Sequence, residues 1–147
     1  MQARRVTKED KTIFCTMVSD FYTSNAVDHT IDPENIQQTF QQAVENNPTF
    51  EALLLEDHGQ VVGYALLPLY WSNEFGGNVL FLDELYIKPE CRGNGYGKQF
   101  FTMLEQEYSD RYKCIRLEVT PVNEGAIRLY RRLGFGDRPY LQMIRER

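Results

Sequence analysis

The sequence predicts an α/β or α+β fold, a sheet with helices on both faces. Two early segments carry apolar residues at helical spacing behind capping residues. A run at 79–87 is apolar on both faces near its start, which marks a central strand. Strand-like and helix-like segments then alternate to the end. At 147 residues with 42% hydrophobic and 25% charged residues, the chain suits one domain (1–147) and excludes disordered or collagen-like classes.

Residues 4–6 suit a short first strand. Thr7 caps a helix with Asp10 in its first turn, and Ile13, Phe14, Met17, Val18 and Phe21 continue it to about Thr23. Asp32-Pro33 is a cap followed by proline at the first helical position, opening a second helix to about Glu45. Apolar runs at 52–55 and 61–71 flank Asp57-His58-Gly59-Gln60, a hairpin. Pro89 ends the strand at 79–87. A helix follows over 95–112, with Phe100, Phe101, Leu104, Tyr108 and Tyr112 on its apolar stripe. The spacing then predicts a strand at 114–119, a helix at 124–133 stopped by Gly134, and a last strand at 140–144.

Composition excludes several functions. The net charge of −5 is wrong for a general nucleic-acid binder. The charge is uneven: 5 basic and 13 acidic residues precede Pro89, while 11 basic and 8 acidic follow from it. That distribution suits an anion held by the later part and a cation by the earlier part, although charges spread over solvated faces would look the same. Cys15, Cys91 and Cys114 are too far apart for a disulfide framework or a zinc site, and two histidines leave little for a metal. No apolar stretch is long enough to span a bilayer, and the polar start lacks a signal segment, so a soluble, cytoplasmic protein without membrane attachment is expected.

The most informative segment is Arg92-Gly93-Asn94-Gly95-Tyr96-Gly97-Lys98, between a strong strand and a strong helix. Glycines there let the chain turn sharply and aim several N–H groups at one point, and the helix N-terminus adds partial positive charge. Phosphate is the natural ligand, and Arg92 and Lys98 reinforce it. The spacing matches neither the dinucleotide fingerprint nor the nucleotide P-loop.

Arg92-x-x-Gly95-x-Gly97, preceded by Leu85-Tyr86-Ile87-x-Pro89, resembles the acyl-CoA pyrophosphate loop of the GNAT N-acetyltransferase superfamily. Asn123-x-x-Ala126-x-x-Leu129-Tyr130-x-x-x-Gly134-Phe135 is similar to that family's second signature. The resemblance implies the GNAT fold, a mixed central sheet of six to seven strands with about four helices. It also implies acetyl-CoA as cosubstrate, no metal, and a homodimer.

By the same resemblance, the backbone of Leu85, Tyr86 and Ile87 pairs with the pantetheine arm, and an N–H there polarises the thioester carbonyl. Gly93, Asn94, Gly95, Tyr96, Gly97 and Lys98, with Arg92, hold the pyrophosphate. Asn123 reaches the pantetheine amides. Tyr130 protonates the leaving thiolate. A free alkyl amine has a pKa near 10.4, so holding it deprotonated at pH 7 costs about 4.6 kcal/mol, and a positioned carboxylate can take that proton. Asp83 and Glu84 are the candidates; a regular strand would turn only one of them into the cleft. The run 82–87 resembles the acidic strand of spermidine/spermine acetyltransferases. The acceptor site implied by the family gathers Phe21, Tyr22, Asp28, His29, Tyr70, Trp71 and Glu74, where aromatics and carboxylates suit a cation.

The expected activity is acetyl transfer to a primary amine, first a polyamine-like one, with Tyr130 as acid and Asp83 or Glu84 as base. Amino acid, aminoglycoside or protein amines are alternatives, as is a non-catalytic acyl-CoA sensor on the same scaffold.

Overall fold

A computed structural model describes residues 1–24, 26–27, 29–45 and 47–146. The elements in order are β1 (Gln2–Arg5), α1 (Lys11–Phe21), α2 (Pro33–Val44), β2 (Phe50–Asp57), β3 (Gln60–Ser72), β4 (Gly77–Leu82), β5 (Glu84–Ile87), α3 (Tyr96–Glu107), β6 (Cys114–Leu117) and α4 (Glu124–Arg132). A 3₁₀ turn, Lys8–Asp10, leads into α1. The sheet runs β1-β2-β3-β4-β6, and β5 pairs with β3 beyond the end of β4. All pairings are antiparallel except β4 with β6, which is parallel because α3 makes the crossover.

Alternation along the strands divides the core into two layers. Ala52, Leu54, Tyr64, Leu66 and Tyr86 face α1 and α2, where Phe14, Met17, Val18, Phe21, Ile36 and Phe40 cover them. Leu53, Leu55, Ala65, Leu67, Leu80 and Leu82 face Phe100, Phe101 and Leu104 of α3. At the hairpin, His58 and Gly59 both take positive φ, as a two-residue turn between twisted strands requires. Asp32 caps α2 by accepting the Glu34 amide at 2.8 Å.

Two buried carboxylates tie elements together. Arg4 donates to both oxygens of Asp10, at 2.7 and 2.9 Å, and to Glu56 at 2.8 Å. Glu51 accepts from Arg5 at 2.7 Å, Arg111 at 2.8 Å and Tyr108 at 3.1 Å, joining β1, β2 and the end of α3. The three cysteines are half-buried and unbridged. Among the described residues, no helix is long and apolar enough to cross a membrane.

Three expectations need correcting. The strand expected over 79–87 is broken at Asp83. Leu80 lies opposite Leu69 but Glu84 opposite Leu66, so one strand advances by one more residue than the other, a β-bulge. The helix expected over 95–112 stops at Glu107, and Ser109–Arg111 is a 3₁₀ turn. No strand forms at 140–144. Tyr140, Leu141, Met143 and Ile144 are 71–92% exposed, so no layer covers either face that a strand there would have. The sheet has six strands because of the bulge, not because of a C-terminal strand.

Candidate active site

The bulge decides the site. Above it, Leu80 and Leu82 face the α3 layer. Below it, Leu85 and Ile87 face that same layer, three residues on, while Glu84 and Tyr86 turn towards α1. Parity along the strand is therefore reset at Asp83. The Asp83 amide donates to the Leu66 carbonyl at 3.1 Å, so the extra residue stays anchored to β3.

At the same place β4 and β6 part. Their pairing runs from Val79 with Cys114 to Leu82 with Leu117 and ends there. Strand β5 pairs with β3 alone. Lys88 donates to Val62 at 2.9 Å, and alternation then points the amides of Leu85 and Ile87 away from β3, to the open side. The Ile87 carbonyl on that side accepts from Arg92 Nε at 3.0 Å. The edge therefore offers peptide groups to a ligand lying where a strand would have continued.

Below this edge the chain turns into α3. Gly93 and Gly95 have φ of 83° and 76°, in the left-handed region. Gly95 is the N-cap of α3 and supplies no side-chain cap, so the amides of the first helical turn lack helical partners. Gly97 serves close approach: a Cβ there would lie 2.7 Å from Leu129 Cδ2. Amides, helix dipole and the cations Arg92 and Lys98 together fit a diphosphate.

One cleft of about 910 Å³ collects these groups. Leu85, Tyr86, Ile87, Arg92, Gly93, Gly95, Tyr96, Gly97, Lys98, Asn123 and Tyr130 all line it. Asn94 instead braces the loop, donating to the Cys91 carbonyl at 3.0 Å. Tyr96 lines the cleft, but its hydroxyl donates to Asp57 at 2.9 Å. Asn123 caps α4 by accepting the Ala126 amide at 3.3 Å.

Tyr130 sits against Phe101 and Phe135, with ring centroids 5.9 and 5.8 Å away. Its hydroxyl makes no hydrogen bond among the described residues, and burial pushes its pKa up to about 12. It stays protonated at neutral pH with a hydroxyl to spare.

The two acidic neighbours have different surroundings. Glu84 is 5% exposed and accepts from Tyr22 at 2.8 Å and Tyr64 at 2.5 Å. Its pKa is raised by burial, which outweighs the two hydrogen bonds that favour the anion. Asp83 opens to solvent at the bulge, and its pKa is also raised, first by the protein packed beside it and then by Glu118. Glu118 follows Leu117 on β6 as Asp83 follows Leu82 on β4, so the two carboxylates stand where the strands diverge.

The acceptor candidates are scattered. Tyr22 contacts Glu84 and packs its ring edge-on to His29 at 5.7 Å. Asp28 lies outside the described residues. Trp71 is 68% exposed at the end of β3. Tyr70 accepts from Arg116 at 3.0 Å, and Glu74 is paired with Arg138 at 3.5 Å. Tyr22, His29, Tyr70, Trp71 and Glu74 line no part of the cleft, and neither do Asp83 and Glu84; Phe21 alone of the acceptor candidates among the described residues does.

Sequence reasoning missed Glu118, which belongs to no motif. It also missed Ser24, Ala26 and Arg132 on the cleft wall, where the acceptor candidate Phe21 does lie. Arg132 was within reach, since Gly125, Ala126, Leu129, Tyr130, Arg132 and Leu133 recur at helical spacing on one face of α4.

The chain matches the Acetyltransferase (GNAT) family over residues 14–135. It is 39% identical over 82 residues to the spermine/spermidine N(1)-acetyltransferase of Bacillus subtilis, covering 52% of this chain and 53% of that protein. It is 32% identical over 100 residues to the thialysine N-epsilon-acetyltransferase of Sus scrofa, covering 62% and 58%. The chain spans about half the length of the curated relatives it matches. A possible acetyltransferase from Clostridium difficile 630 superposes with a TM-score of 0.82 at 16% identity, over 99% of this chain and 96% of that one. The aminoglycoside N-acetyltransferase AAC(6')-Iy, solved in complex with CoA, superposes with a TM-score of 0.78 at 14% identity, over 99% and 94%. A matched family spanning both signatures, on a sheet that splits beside a glycine-turned helix, identifies this chain as a member of the GNAT acetyltransferase family.

Proposed function

We propose that this protein is an N-acetyltransferase that moves acetyl from acetyl-CoA directly to a primary amine, with a small polyamine-like amine as first acceptor. One observation carries the reading: the unpaired edge of β5, the uncapped start of α3 and the spare hydroxyl of Tyr130 meet in one cleft. The named relatives that support it act on spermine, spermidine and thialysine.

The unpaired β5 edge, the α3 turn and Tyr130 support the following steps. The diphosphate lies on the amides at 93–98, and the pantetheine arm continues β5 through the Leu85 and Ile87 peptide groups. A β5 N–H polarises the thioester carbonyl. Asp83, solvent-open and of raised pKa, takes a proton from the amine, directly or through water. Attack at the carbonyl carbon gives a tetrahedral intermediate, and the C–S bond breaks as it collapses. The Tyr130 hydroxyl donates to the sulfur as charge develops there. Because burial makes this phenol hold its proton tightly, donation accompanies bond breaking and does not precede it. The homodimer implied by the resemblance belongs to the same reading.

Thiol release from acetyl-CoA, measured with spermidine, thialysine, an aminoglycoside and free amino acids, tests the proposal. Release with spermidine is expected to be fastest. No release with any amine overturns it; a non-catalytic sensor would bind acetyl-CoA without turnover.

A further inference from the structure

The α1–α2 link forms one wall of the cleft, through Phe21 at the end of α1 and Ser24 and Ala26 beyond it. Ala26, Val27 and Ile31 of the link pack against the core, and Tyr22 ties its start to the sheet through a hydroxyl that donates to Glu84 Oε1 at 2.8 Å. The other oxygen of Glu84 accepts from Tyr64 of β3 at 2.5 Å, and the carboxylate is 5% exposed. Both oxygens are engaged by hydroxyl donors, and the buried carboxylate lines no part of the cleft, so an amine lying there does not meet it. The charged and titratable groups around it are Asp83 beside it on the bulge, Tyr22 from the link, Tyr64 from β3, and Tyr86 on β5, which itself faces Asp20 of α1.

We propose that Glu84 is a positioning residue: with Tyr22 it latches the α1–α2 link to the bulged strand and so sets the wall against which the acceptor lies. The proposal rests on the acetyl-transfer reading and assigns the two neighbouring carboxylates different work. Asp83 handles the proton, and Glu84 holds the wall.

Tyr22→Phe removes one hydroxyl and keeps the ring packing, while Glu84→Gln keeps the shape and removes the charge. In both, the acceptor KM is expected to rise about tenfold, as for the loss of one hydrogen bond to a charged group, with little change in kcat. The acid limb of kcat/KM against pH is expected to persist in both and to vanish in Asp83→Asn. Amide hydrogen exchange is expected to quicken in the link and stay unchanged in α3. Loss of the acid limb in Glu84→Gln overturns the proposal, as does unchanged acceptor KM and exchange in Tyr22→Phe. Should Glu84→Gln fail to fold, Tyr22→Phe decides alone. If the wild-type protein acetylates no amine, the acetyl-transfer reading falls, and hydrogen exchange still shows whether the latch exists.

Discussion

The two sides of the cleft are built from different materials. The side proposed for the coenzyme is made of backbone: the free amides of β5, the uncapped turn of α3, and two glycines at positive φ. The proposed acceptor side is made of side chains from distant segments: Phe21, Ser24 and Ala26 on the cleft wall, with Tyr22, Asp83 and Glu118 behind it at the end of α1, the bulge and the end of β6. A backbone site constrains sequence tightly, because few residues tolerate its geometry. A side-chain wall can be assembled from many residue types. The comparison teaches that one fold can keep its coenzyme and change its amine.

The comparison breaks most readily at Gly95. Gly95→Glu puts a side chain on a left-handed residue and an anion where we propose that the diphosphate binds. Acetyl-CoA affinity is expected to fall at least about 100-fold, roughly 2.7 kcal/mol, by calorimetry. Retained affinity would mean that the coenzyme side does not depend on this turn.

Tyr130→Phe comes next. Because the hydroxyl bonds no described residue, the variant should melt like the wild type and bind acetyl-CoA normally. Its kcat should fall about 100-fold, the usual scale of a lost general acid. Unchanged turnover across the pH range would remove Tyr130 from the chemistry.

Glu118→Gln sharpens the acceptor side. A neighbouring anion makes a carboxylate harder to ionise, so removing Glu118 lowers the Asp83 pKa. In the proposed mechanism activity falls as acidification protonates Asp83; the acid limb should therefore move to lower pH in this variant. A limb that stays in place would separate Asp83 from the titration.

The same contrast governs what the sequence revealed. The glycine turn was legible because Gly93, Gly95 and Gly97 sit at fixed spacing between strand and helix, the first two meeting a local backbone need. The hairpin and capped helices were legible for the same reason. The bulge was not, because Val79 to Ile87 reads as one strand and only the register against β3 shows the extra residue. That misreading carried into the site: strand parity could not say how Asp83 and Glu84 divide their roles while the bulge was hidden. Glu118 was invisible because its partner is 35 positions away and meets it only through the parallel pairing of β4 with β6.

The smallest effect is expected far from either side. Asp10 accepts from Arg4, from the Thr7 hydroxyl and from the Thr7 amide, and these bonds, led by that of Arg4, hold its pKa well below the usual carboxylate range. Its folded-state pKa is depressed, so its stabilisation is full above the unfolded value, near 3.8, and is lost as pH falls through the lower folded value. Asp10→Asn should cost about 1.5 kcal/mol at pH 7, a few degrees in Tm, with KM unchanged for both substrates. The gap in Tm between wild type and variant should narrow on acidification below the unfolded value. A gap that widened would mean the anion is not what holds β1 to the start of α1. A changed KM would mean that this corner of the sheet reaches the cleft after all.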